Sequence, residues 1–114
     1  MQGRLRAVRV LLLYLALAFA WTGRTWAAPT THLIGTPGFS DAPQLAWELA
    51  WVPYAVTHHL NPLFTHLINY PTGANLTWPI APMPLALLGW PLSILAGPVV
   101  AYNVLLTLAI ATAA

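Results

Sequence analysis

The sequence predicts an all-α integral membrane protein with a first transmembrane helix, an external loop with interfacial helices, and then a truncated transmembrane helical hairpin. Of its 114 residues, 59% are hydrophobic and only 5% are charged, whereas an ordinary soluble domain is about 25% charged. The charges are unevenly placed, because no aspartate, glutamate, lysine or arginine follows Glu48. Two apolar segments also flank a region rich in prolines and aromatics, which is typical of membrane proteins.

The remaining composition excludes several function classes. The net charge of +2 comes from four arginines near the start, which are too few and too clustered to predict nucleic acid binding and which fit the positive-inside rule. The chain has no cysteine. Disulfides, thiolate metal sites and cysteine nucleophiles are therefore excluded.

Residues 1–27 are predicted to form the first transmembrane helix. The uncharged run that begins at Val10 is shorter than the roughly 17 to 25 residues of a spanning helix, but Arg9 can snorkel, and Trp21 and Trp26 stand where an aromatic belt would lie. A signal peptide is the alternative interpretation, because small residues are present at positions 27 and 28. Both interpretations place the N-terminus in the cytoplasm and export the segment that begins at residue 28.

Residues 28–80 are predicted to form an external loop that contains interfacial helices. Asp41, with Gln44 three residues later, predicts an N-cap with a capping box. The helix that begins there has aromatic side chains on one face and aliphatic side chains on the opposite face. This arrangement suits a helix that lies flat at the headgroup boundary. The aromatic face comprises Trp47, Trp51, Tyr54 and His58.

Residues 81–114 are predicted to form two transmembrane helices with a tight turn at Gly97 and Pro98. Their combined length is too great for one span and just enough for two short ones. Because the sequence stops inside an apolar run, we expect it to be the N-terminal part of a longer multi-span protein.

The order of these features resembles a known family. The segments that carry the resemblance are NPLFT at 61–65, INYPTGANLTW at 68–78 and GPVVAYN at 97–103. Residues 41–103 resemble the N-terminal part of bacterial multi-span membrane proteins related to the C-superfamily glycosyltransferases, which use lipid-linked sugar donors. The resemblance implies a lipid bilayer and a polyprenyl-phosphate-linked sugar as partners, and a multi-pass location in the cell membrane.

In that superfamily an acidic residue of the first external loop serves as catalytic base or helps to bind metal and phosphate. The resemblance places this role on Asp41, with a divalent metal ion, Mg²⁺ or Mn²⁺, as the cofactor. A carboxylate at the membrane face is suited to take the acceptor's proton. The alternative is that Asp41 only caps the helix. Glu48, on the flank between the two faces, is expected to be a solvated acid.

The segment 58–78 supplies the candidate substrate-binding residues. His58 is a candidate for contact with a phosphate or sugar, although the spacing of the histidines matches no zinc pattern and favours interfacial hydrogen bonding. Asn61, Tyr70, Asn75 and Trp78 could line a sugar site, because amides and hydroxyls bond sugar hydroxyls while aromatic faces pack on the ring. The alternative is that they make turns and anchor the chain at the interface.

These observations lead to one functional prediction and two alternatives. We expect the N-terminal part of a membrane glycosyltransferase-like protein that acts on a polyprenyl-phosphate-linked sugar at the outer membrane face and is inactive as this fragment alone. The first alternative is a non-enzymatic multi-span protein, either transporter-like or a structural subunit. The second is an exported product left after signal cleavage, against which the apolar residues 79–114 argue.

Overall fold

The computed structural model describes residues 2–35, 41–77 and 83–113. Within these ranges the chain forms five helices and two short antiparallel strands, and α3, α4 and α5 pack against one another while α1 packs along α5. The strands pair Phe64 with Asn75 and Thr65 with Ala74. The elements are α1 (Gln2–Trp21), α2 (Gly23–Trp26), α3 (Ala42–Thr57), β1 (Phe64–Thr65), β2 (Ala74–Asn75), α4 (Met83–Ala96) and α5 (Pro98–Ala113).

The core lies where α3 meets α4 and α5. The large side chains come from α3, chiefly Leu49 and Val52, while Ala86 of α4 and Ala101 of α5 are fully buried beside them. Large side chains against small ones let the helices approach closely and fill the space between them. α3 is therefore the helix around which the described core is built.

The predicted fold class, an all-α integral membrane protein with transmembrane helices, is wrong. In the described ranges, no helix combines the length and the apolar character that crossing a membrane requires. The predicted first span and the predicted hairpin do correspond to helices, but these helices do not qualify as spans. The turn expected at Gly97 and Pro98 is confirmed, since α4 ends at Ala96 and α5 begins at Pro98.

Helix length and charge explain why the prediction failed. α1 has 20 residues, but every stretch of 18 residues within it includes Arg4, Arg6 and Arg9. α4 and α5 have 14 and 16 residues. Both lengths, as far as these helices are described, are below the roughly 17 to 25 residues of a spanning helix.

α3 is also not the helix expected to lie flat at a bilayer surface. Eight of its 16 residues are buried, and it packs against both α4 and α5. The apolar periodicity marked the buried Leu49, Trp51 and Val52, but periodicity does not distinguish a protein neighbour from lipid. The helix packs in the protein core.

Asn103 of α5 ties the segment after α2 to the helical bundle. Its side chain is fully buried, and its amide nitrogen donates to the carbonyl oxygens of Pro29 and His32 at 3.1 and 2.7 Å. Its amide oxygen accepts the backbone N–H of Ile34 at 3.0 Å. One side chain thus satisfies three backbone groups that no helix or strand pairs.

Residues 58–77, which we call the docked loop, lie against the C-terminal half of α3. The indole N–H of Trp51 donates to the carbonyl oxygen of Pro62 at 3.0 Å, and the backbone N–H of Leu76 donates to Leu63 at 2.8 Å. Gly73 has a φ of +78°, and a Cβ there would lie 2.8 Å from the backbone oxygen of Thr65. This position therefore requires glycine.

Replacing Asn103 by alanine is expected to lower the free energy of unfolding by about 2–4 kcal/mol, because three backbone groups lose their partner. Asn75→Ala is the control, since the exposed side chain of Asn75 bonds only Thr77 among the described residues. Urea unfolding of the full chain in non-ionic detergent, followed by circular dichroism, measures both. Equal midpoints for the two variants would contradict the role given to Asn103.

Candidate functional site

Asp41 precedes α3 and is exposed, but it does not cap the helix as predicted. Its side chain makes no capping hydrogen bond within the described structure, and its backbone is helical, with φ −73° and ψ −1°. A side-chain cap normally requires an extended backbone at that position. Gln44, the other half of the predicted capping box, instead donates from its amide nitrogen to Glu48 Oε1 at 3.1 Å.

The negative charge of Asp41 influences the ionisation of Tyr102 of α5. Burial raises the pKa of the Tyr102 phenol, and the negative charge of Asp41 raises it further. The hydroxyl of Tyr102 donates to the carbonyl oxygen of Ile34 at 3.0 Å. The exposed acid that the sequence singled out thus lies near a half-buried phenol, beside the segment that Asn103 holds.

Glu48 is the buried acid of the described structure, and the expectation that it is solvated is wrong. Its side chain is only 3% exposed. Oε1 accepts the hydrogen bond from Gln44, whereas Oε2 has no hydrogen-bond partner among the described residues. Burial raises the pKa of this carboxyl group above its ordinary value of 4.5, and the bond from Gln44 opposes part of that rise.

Glu48 lines a narrow pocket of about 10 Å³ beneath the docked loop. Every other residue that lines this pocket is apolar or aromatic. An acid in such surroundings is stable in its neutral form, because an ionised carboxylate would lose its hydration without gaining a counter-charge. The other lining residues are Trp51, Val52, Pro62, Leu63, Leu76 and Met83.

The aromatic face predicted for α3 is confirmed. The rings of Trp47 and Trp51 are stacked with centroids 5.7 Å apart, and the contacts continue from Trp51 to Tyr54 at 5.8 Å and from Tyr54 to His58 at 4.0 Å. The row runs from the half-buried Trp47 through the buried Trp51 to Tyr54 and His58, which are exposed. Nδ1 of His58 lies 2.8 Å from the carbonyl oxygen of Tyr54, so this histidine also closes the end of the helix.

The predicted sugar-binding residues of the docked loop lie at its surface. Asn61 and Asn75 each accept a backbone N–H two residues later, at 2.9 Å, in turns that their side chains stabilise. Tyr70 is 83% exposed. None of these side chains, nor that of His58, lines the pocket beside Glu48. Their role in binding stays a prediction, and Trp78 lies outside the described residues.

The predicted divalent metal ion gains no further ligands from the described part of the chain. There, no group of three or more histidine, aspartate or glutamate side chains is arranged to hold a metal ion. Asp41 as a ligand of Mg²⁺ or Mn²⁺ therefore stays a prediction carried by the family resemblance.

The sequence contained a signal for the burial of Glu48 that its charge obscured. Trp51, Val52 and Ala55 lie three, four and seven positions after it, which is the spacing of one helix face, and all three are buried. The position of the acid within an apolar face was therefore visible. The environment of its unpartnered oxygen is formed in part by the docked loop, and the position of that loop cannot be predicted from helical periodicity.

Comparison of the chain with protein-family models, curated proteins and solved structures finds no match. The function of the chain is therefore inferred from its own geometry and from the family resemblance of its sequence.

Glu48→Gln is expected to stabilise the protein increasingly as the pH rises. The folded state holds the Glu48 proton more tightly than the unfolded chain, so the contribution of the neutral acid is complete below pH 4.5. It is lost as the pH rises from there through the raised pKa of the folded state. Glutamine does not titrate and escapes this loss.

Thermal unfolding of the wild type and Glu48→Gln at pH 4 and pH 8 measures this difference. Asp41→Asn removes an exposed acid next to the same helix and is the matched control. A melting-temperature difference between wild type and Glu48→Gln that is the same at both pH values would contradict the assignment.

Proposed function

We propose that this chain acts at a lipid bilayer, which it contacts through α1. The observation that carries the proposal is the apolar surface of this helix. Leu12 and Leu13 are 58% and 57% exposed, and Ala18 is the only buried residue among positions 3–21. Large apolar patches left exposed mark sites of membrane or protein interaction. The exposed large apolar residues of α1 are Leu5, Val8, Val10, Leu11, Leu12, Leu13, Leu17, Phe19 and Trp21.

The distribution of this surface favours lipid over a protein groove. Residues 10–13 are consecutive and all exposed, and four successive helical positions point to nearly all sides of a helix. The groove of a protein partner would cover only one face of α1. A helix with apolar side chains on nearly all sides needs an apolar environment around it. Hydrocarbon can surround the sides of α1 that α5 leaves uncovered.

The ends of the apolar run fit the headgroup region. Arg4, Arg6 and Arg9 precede it, and the 86% exposed Trp21 ends it. Arginines attract anionic headgroups by about 1 kcal/mol each, and tryptophan prefers the membrane–water boundary. The apolar residues 10–21 extend about 18 Å at the helical rise, against a hydrocarbon core of about 30 Å. We therefore propose that this part of α1 enters one leaflet without crossing.

The double variant Leu12→Asp/Leu13→Asp is expected to reduce the vesicle-bound fraction about tenfold or more, because aspartate is strongly disfavoured in hydrocarbon. The chain is synthesised in a cell-free system with vesicles of phosphatidylcholine and phosphatidylglycerol, and its flotation with them is measured.

Leu67→Asp is the matched control, since Leu67 is 69% exposed but lies in the docked loop. It should float like the wild type. A wild type that stays at the bottom of the gradient, or a double variant that floats equally well, would overturn the proposal.

The activity expected from the family resemblance, transfer of a sugar from a polyprenyl-phosphate donor, stays a second proposal. One observation favours a chemical role for Asp41: its carboxylate is exposed and not used to cap α3. Such a carboxylate is available as the base that takes a proton from an acceptor hydroxyl. The rival proposal is a non-enzymatic membrane-associated protein in which the docked loop only stabilises packing.

Asp41→Asn is expected to abolish sugar transfer while leaving expression and flotation unchanged, because it removes the charge and keeps the shape. Wild type and variant are assayed in membranes that contain lipid-linked sugars, with and without added Mg²⁺ or Mn²⁺. Transfer that the substitution does not affect would remove Asp41 from the chemistry. Absence of transfer by the wild type would favour the non-enzymatic rival.

A further inference from the structure

We propose that Glu48 makes the docked loop pH-sensitive: the loop stays on α3 while the carboxyl group carries its proton, and loss of that proton admits water and releases the loop. The device needs a buried acid without a counter-charge and a cover that can move. Both are present in the pocket beneath residues 58–77.

The docked loop forms the cover of this pocket. Pro62, Leu63 and Leu76 line it from the loop, opposite Trp51 and Val52 of α3. The carboxyl group is therefore separated from water by side chains of the loop as well as by its own helix. Moving the loop outward is the way to hydrate Glu48 without unfolding α3.

The interactions that hold this cover against α3 are apolar contacts and hydrogen bonds between neutral groups. The Trp51 indole N–H bonds the Pro62 carbonyl oxygen at 3.0 Å, and Leu76 is 6% exposed within the apolar core. The bond from the Leu76 N–H to Leu63 joins the two ends of the cover. These contacts are apolar or neutral, so they compete weakly with the hydration of a full charge.

No described element brings a cation to Glu48. α4 contains no titratable side chain, and the titratable group of α5 is Tyr102, whose hydroxyl bonds Ile34. Asp41, near the start of the same helix, is exposed and influences Tyr102. The titratable groups of the loop are exposed and lie outside the lining of the pocket; they are His58, His59, His66 and Tyr70.

The unpartnered Oε2 atom favours the neutral, protonated form of the Glu48 carboxyl group. Gln44 supplies one hydrogen bond to Oε1, and Oε2 receives none from the described residues. A protonated carboxyl tolerates this arrangement, whereas a carboxylate needs several donors around both oxygens. Water that enters from the loop side is the available source of those donors.

Release of the loop would also move the polar residues that it carries. Asn61, Tyr70 and Asn75 are exposed on the loop and are the candidates for ligand contact. Protonation of Glu48 would therefore set the position of these groups relative to α3. This inference is independent of whether the chain transfers sugars or contacts lipid.

Hydrogen exchange of the full chain in non-ionic detergent tests the proposal between pH 5 and pH 8.5. The readout is the protection of peptides covering 60–77, corrected for intrinsic exchange with an unstructured reference peptide. Protection of the loop in the wild type should fall as the pH rises through the raised pKa of Glu48. Protection of α5 should stay constant.

Two variants separate this mechanism from general loosening. Glu48→Gln keeps the side-chain shape without the titrating proton, and its loop should stay protected at pH 8.5. Glu48→Met fills the same space with an apolar side chain and should behave likewise. Asp41→Asn, the exposed acid, should retain the wild-type pH dependence. Constant protection in the wild type, or the same loss of protection in Glu48→Gln and Glu48→Met, would overturn the proposal.

Discussion

The buried face of α3 is the constraint on which the rest of the described structure depends. Leu49 and Val52 pack where α4 and α5 present the fully buried Ala86 and Ala101, so the three helices meet at close range. The same helix supplies Trp51, whose indole N–H holds the docked loop at Pro62. Because helix packing and loop docking share one face, a change in the environment of that face reaches both.

Two buried polar side chains illustrate opposite solutions to the cost of desolvation. Asn103 meets three backbone groups and converts an irregular segment into a fixed part of the bundle. Glu48 meets only Gln44 and leaves one oxygen without a partner in the described structure. A satisfied buried group stabilises one arrangement at every pH, whereas a half-satisfied acid makes stability depend on its proton.

α1 is used differently from the other long helices. α3 and α5 direct much of their apolar surface inward, but α1 is exposed over most of its length and has Ala18 as its one buried residue among positions 3–21. The strongly apolar composition therefore serves two ends, a compact three-helix core and an outward surface. The proposal of lipid contact rests on the outward surface of α1, and the proposal of loop release rests on the core around α3.

The sequence by itself determined where the long helices lie and which residues form the aromatic row on α3, because apolar periodicity and the Gly97–Pro98 break are local signals. It also indicated that the helices carry extensive apolar surface. Tertiary structure decided what covers that surface: α3 packs in the protein core against α4 and α5. It also decided that Gln44 bonds Glu48 and does not complete a cap at Asp41. These outcomes depend on contacts between distant segments, such as Pro62 and Leu76 over Glu48, and no local pattern encodes which partner fills an apolar face.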